Sequence, residues 1–165
     1  MIFFDQHSHT TFSPDAQMSI EGAVSRILND KLNIKGIAFT DHLDLDPPVL
    51  PEKFRFDIKE QQEQIEKFAK AYIDSGLQLF KGIEVGLQLN ANERSKEYIS
   101  SHKFDIIIAS LHFIDGTDPY KGTYYIGKDY RRAFSHALQV MYENITNFND
   151  FDVLGHKCIR TLISY

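Results

Sequence analysis

The chain of 165 residues contains a single cysteine, Cys158, so no disulfide can close within it and a zinc knuckle built on paired cysteines is excluded. Any metal must be held mainly by histidine and carboxylate. Also missing is an apolar run approaching the roughly 18 residues that a membrane span requires. At the start, Ile2, Phe3 and Phe4 are interrupted by Asp5, His7 and His9, which is not a secretory pattern. These absences predict a soluble, cytoplasmic protein with no membrane partner. Positive charge is not in excess either: 18 Lys and Arg stand against 23 Asp and Glu, a formal charge of −5. That balance disfavours nucleic acid and anionic lipid as partners. No low-complexity linker or repeat divides the chain, and its length suits one domain, expected over 1–165.

Five short apolar segments read as strands: "MIFF", "IKGIAFT" (34–40), "LQLFKGIEV" (77–85), "FDIIIASL" (104–111) and "FDVLG" (151–155). Their apolar residues run together rather than alternating strictly, as in strands covered on both faces. Amphipathic segments lie between them. One begins after Ser19, a suitable N-cap, with Glu21 in the first turn and Ile20, Val24, Ile27 and Leu28 towards one side. Gly22 stands where a capping box would place its acidic residue. Further helices are expected over 57–75, 92–102 and 129–147. Strand and helix thus alternate into a fifth strand, which predicts an α/β protein with a parallel sheet, doubly wound or barrel-like.

Each predicted strand ends at a potential metal ligand. The first runs into His7 and His9, the second into Asp41 and His42, the third carries Glu84, the fourth reaches His112 and the fifth His156. From His9 onward, the successive spacings of 33, 42, 28 and 44 residues suit strand-helix units with variable loops. In a parallel barrel the carboxyl ends of all strands meet at one face, where the chemistry is kept. Residues two apart in an extended segment point the same way, so "HSH" can present two imidazoles to one ion. Imidazole and carboxylate suit zinc, iron or manganese, and Glu84 has two oxygens with which to bridge a pair of ions. His102 and His136 fall inside predicted helices and read as surface residues.

The ordered set "DQHSHTTFSPDA", "IAFTDHLD", "GIEVGL", "IIIASLHFIDG" and "DVLGH" resembles the polymerase and histidinol phosphatase (PHP) superfamily of metal-dependent phosphoesterases, in its histidinol-phosphate phosphatase branch. The resemblance covers nearly the whole chain. It implies a distorted (β/α)7 TIM-like barrel, incomplete here with about five βα units, and up to three divalent ions. It also implies hydrolysis of L-histidinol phosphate in histidine biosynthesis by a metal-activated water, with no side-chain nucleophile. Carried over by motif, His7, His9 and Glu84 would bind one ion, Glu84, His112 and His156 a second, and Asp15 with His42 a third. Asp41 would orient the site, and Arg160, just past His156, is the candidate cation for the phosphate. The aromatic loop after His112, with Tyr120, Tyr124, Tyr125 and Tyr130, could stack on a substrate imidazole or simply pack.

The pattern departs from the family at the end. Only nine residues follow His156, Cys158 stands where an acidic residue is common, and no late Asp-x-His pair appears. Two of the three expected ions would each lack a ligand, so a metal-binding protein of weakened phosphatase activity is expected. Five parallel strands would leave an open wall. A fragment or truncated product, a second copy covering the gap, and a sheet that stays open all satisfy the sequence. A PHP-type nuclease and a non-catalytic metal-binding assembly protein are the competing functions.

Overall fold

The computed structural model describes residues 3–48, 55–119 and 122–155. His156, Cys158, Arg160 and Tyr120 lie outside them. Strands β1 (Phe3–Ser8), β2 (Ile34–Phe39), β3 (His42–Leu43), β4 (Gln78–Gly86), β5 (Ile106–Ser110) and β6 (Val153–Leu154) alternate with helices α1 (Ile20–Asn29), α2 (Ile58–Ala71), α3 (Asn92–Ser100) and α4 (Tyr130–Asn147). Every strand pairing is parallel, in the order β1-β2-β4-β5-β6, with the short β3 also against β4. The neighbours follow chain order without the reversal that defines a doubly wound sheet. The result is a curled half-barrel, the barrel alternative of the two that the element order allowed.

Local chemistry sets most of the boundaries. Ser19 Oγ accepts the N–H of Gly22 at 3.0 Å to start α1, and the carboxylates of Asp57 and Asp129 do the same for α2 and α4. The helix expected over 57–75 is shorter: α2 stops at Ala71, a single 3-10 turn covers Ile73–Ser75, and Gly76 takes a left-handed φ of 71°. The helix expected over 92–102 ends at Ser100. His102 therefore sits in the turn beyond α3 rather than inside a helix; its N–H goes to Ile99 O at 3.1 Å, and its Nδ1 lies 3.1 Å from Tyr98 O. Of the expected fifth strand only Val153–Leu154 is regular, yet Asp152 and Gly155 also donate to β5, at 2.9 and 2.7 Å.

Alternation along the strands separates core from site. Ile83 and Val85 of β4 and Ala109 and Leu111 at β5 join an apolar cluster with Ala137 and Met141 of α4 and Ile99 of α3. A second cluster packs Ile20, Val24 and Ile27 of α1 against Ile37 and Phe39 of β2 and Ile65 and Phe68 of α2. Each such Ile, Val, Leu, Phe or Met side chain taken fully out of water contributes about 1.5–3 kcal/mol. The intervening residues Glu84 and Ser110 are wholly buried on the opposite, concave side. At the outer edge of the described sheet, Phe3 and Phe4 of β1 remain about half exposed. Among the described residues no helix is long and apolar enough to cross a membrane.

Candidate metal centre

Glu84, near the carboxyl end of β4, has no solvent exposure and is surrounded by imidazoles. Its Oε2 lies 3.4 Å from His7 Nε2, 3.1 Å from His9 Nε2 and 2.9 Å from His42 Nδ1. Its Oε1 accepts the Ser110 hydroxyl at 2.6 Å and lies 3.3 Å from His112 Nε2. The two oxygens of one carboxylate thus face different histidines. His7 and His9 come from the end of β1 two residues apart, as the alternation of an extended segment requires, with their Nε2 atoms 3.0 Å from each other.

The turn after β1 adds the next group. Asp15 brings Oδ2 to 3.2 Å from His9 Nδ1 and 3.4 Å from His42 Nε2. Asp41 touches no imidazole of the cluster through the contacts the structure shows. Its buried carboxylate accepts from Thr10 N (2.6 Å), Thr10 Oγ1 (2.8 Å), Ser13 Oγ (2.7 Å) and Gln61 Nε2 (2.7 Å). Ser13 Oγ in turn accepts the backbone N–H of His42 at 3.0 Å. Asp41 therefore ties the loop between His9 and Asp15 to the segment that carries His42 and to α2.

On the far side of Glu84, His112 Nδ1 sits 3.0 Å from both oxygens of Asp44, another carboxylate without solvent exposure. Burial alone would push His112 down, but the Asp44 charge and hydrogen bond, helped by Glu84, outweigh it and lift its pKa to about 10. For His42, burial is likewise outweighed by hydrogen bonds to Asp15 and Glu84, and its pKa rises to about 9. The hydrogen bond from His42, against the opposing pull of burial, holds Asp15 well below the usual carboxylate range.

Among the described residues three donor groups result, each with its ligand atoms within 4.8 Å of one another: His7, His9 and Glu84; His9, Asp15 and His42; and His42, Glu84 and His112. Donors around a tetrahedral ion with bonds of about 2.0–2.1 Å stand about 3.4 Å apart. The first group, at 3.0, 3.1 and 3.4 Å, fits that spacing, and its nitrogen and oxygen atoms suit zinc, iron or manganese. Six of the seven ligand positions expected from sequence thus converge. The grouping differs from the expected one in that His42 joins Glu84 and His112, and His9 joins Asp15 and His42. His156 and Arg160 fall outside the described residues.

Sequence reasoning missed Asp44 and Ser110. Each stands two residues from an expected ligand in an extended segment, Asp44 after His42 and Ser110 before His112, so the same alternation that pairs His7 with His9 pointed to them. Of the loop aromatics, Tyr124 and Tyr125 are buried in the core, with the Tyr124 hydroxyl donating to Ala133 O at 3.0 Å, while Tyr130 is exposed.

The chain is similar to several known proteins. The chain is 31% identical over 153 residues to a protein of Clostridium acetobutylicum named "Probable histidinol-phosphatase", covering 93% of this chain and 56% of that protein. It is 28% identical over 153 residues to the histidinol-phosphatase of Lactococcus lactis, covering 92% and 55%. It superposes on the crystal structure of histidinol phosphate phosphatase from Lactococcus lactis, solved with Zn, L-histidinol and phosphate, with a TM-score of 0.84 and 26% identity over 93% of this chain and 57% of that one. A solved structure from Listeria monocytogenes shares the fold, with a TM-score of 0.71 at 16% identity over 87% of this chain and 61% of that one. The chain spans about half the length of the curated relatives it matches. The model of the PHP domain matches residues 5–160, nearly the whole sequence, and the chain belongs to the PHP domain family.

Proposed function

We propose that the chain binds divalent cations around Glu84 and that this site serves hydrolysis of L-histidinol phosphate to L-histidinol and inorganic phosphate, a step of histidine biosynthesis in the cytoplasm. One observation carries the reading: a carboxylate without solvent exposure has four imidazoles within 3.4 Å. The Lactococcus relative, bound to zinc, histidinol and phosphate, supports the substrate. His7, His9 and Glu84 are the proposed ligands of one ion. His42, Glu84 and His112 hold a second, with His156 as a further ligand, and Asp15 with His9 and His42 a third. Arg160 is the proposed cation for the phosphate.

When bound, such ions would supply Lewis acidity to phosphoryl oxygens and lower the pKa of water towards neutrality. The chain's own residues hold and orient. Glu84 offers one oxygen to each side of the cluster, and Asp41 fixes the loop that carries Asp15. In the overall reaction, water gives its oxygen to phosphorus, the bond from phosphorus to the histidinol oxygen breaks, and a proton goes to the departing alkoxide. The proposed partners are the small phosphorylated substrate and a second copy of the chain.

The test is to incubate the purified protein with zinc or manganese, measure metal per chain after desalting, and follow phosphate release from L-histidinol phosphate. Metal retained above a buffer blank, with phosphate release that Glu84→Gln abolishes, is the expected result. No retained metal defeats the site, and release from a different phosphoester in preference defeats the substrate.

A further inference from the structure

Asp44 belongs to none of the three donor groups, yet it is a carboxylate without solvent exposure at the edge of the cluster. Both its oxygens lie 3.0 Å from His112 Nδ1, across 68 residues of sequence, while His112 Nε2 is 3.3 Å from Glu84 Oε1. The backbone makes room for it. A Cβ built at Gly86 would land on Asp44 Oδ1 and lie 3.1 Å from His112 Nδ1, so glycine at the end of β4 gives Asp44 its place.

We propose that Asp44 is a positioning residue: it keeps the proton of His112 on Nδ1 and turns Nε2 towards Glu84, with Gly86 providing the space that the carboxylate occupies. The proposal deepens the metal-site reading and rests on it for its consequence. To bind a cation the ring must give up one proton and use that nitrogen, and which one is set by the hydrogen bond the other makes. Only one orientation of this ring engages Asp44 through Nδ1 and faces Glu84 through Nε2. Loss of partners of this kind lowers metal affinity about 10–100-fold.

The experiment uses 15N-histidine-labelled protein and the variants Asp44→Ala, Asp44→Asn and Gly86→Ala, with folding checked by circular dichroism. Two readouts are taken: the His112 ring-nitrogen signals of the zinc-free protein, and zinc affinity by competition with a chromophoric chelator. The wild type is expected to show a slowly exchanging Nδ1 proton. That signal disappears in Asp44→Ala and shifts in Gly86→Ala, and it persists in Asp44→Asn, whose amide oxygen still accepts. Zinc affinity is expected to fall about 10–100-fold in Asp44→Ala and less in Asp44→Asn. Unchanged His112 signals in folded Asp44→Ala, or in folded Gly86→Ala should Asp44→Ala not fold, overturn the proposal. So does unchanged zinc affinity in the same protein. A wild type that shows the Nδ1 proton but takes up no zinc overturns the metal-site reading instead and leaves the Asp44 contact standing, so the two failures are told apart.

Discussion

Two histidine-aspartate pairs in this molecule have the same chemistry and the same 3.0 Å separation but different surroundings. His112 and Asp44 are buried between β3, β4 and β5, with side chains 10% and 0% exposed, whereas His136 on α4 and Asp115 in the loop after β5 are 47% and 56% exposed. Water and salt screen the surface pair, and exposed pairs of this kind are worth about 0–1 kcal/mol. In the interior the same contact, helped by Glu84, outweighs burial and raises the pKa of His112. The difference teaches that a 3.0 Å separation does not by itself set what a histidine-aspartate contact is worth; burial beside a carboxylate without solvent exposure does.

That comparison can be broken from the buried side first. Glu84 belongs to two of the three donor groups, so Glu84→Gln is expected to reduce retained metal to at most one ion per chain, measured by elemental analysis after desalting. Retention equal to wild type would show that the cluster does not depend on its central carboxylate. Next in size, His112→Ala leaves the Asp44 charge buried without its described partner, and should destabilise the zinc-free protein by about 3–5 kcal/mol in urea denaturation.

A pH series sharpens the contrast. His42 and His112, raised from an ordinary 6.5 to about 9 and about 10, bind protons more tightly folded than unfolded. Their contribution to stability is therefore complete below pH 6.5 and lost as pH climbs through 9 to 10. The Tm of chelator-treated protein should fall across that window. Zinc must displace those same protons, so its affinity should rise with pH over the same range and its binding should release protons, measurable by calorimetry in buffers of different ionisation enthalpy. The smallest effect is expected at the surface, where His136→Ala should change stability by no more than about 0.5 kcal/mol. A larger loss would mean that the exposed pair carries weight its surroundings do not suggest.

Much of the fold was legible because its signals are local. The cap at Ser19 and the apolar strand runs act within a few residues, and the helix and strands they announce are present. Less legible were places where a contact distant in sequence, or a tight turn, decides an end. The 34–40 segment breaks after Phe39, where Asp41 engages Thr10 and Ser13, and α3 closes early through the backbone bond of His102 to Ile99. Ligand types at the strand ends were likewise legible, since strand alternation fixes which side chains share a face. How they group was not, because His42 reaches Asp15 through one nitrogen and Glu84 through the other.

By itself, then, the sequence determined the parallel strand-helix order, the candidate donor residues at the strand ends and the exclusion of an internal disulfide, because composition and short-range periodicity act through neighbouring residues. Only the tertiary structure decided the winding of the sheet without reversal, the sharing of Glu84 among four imidazoles and the pairing of His112 with Asp44. Those contacts depend on how separate strands register and curl against one another, and packing across the whole sheet, rather than any local segment, sets that geometry.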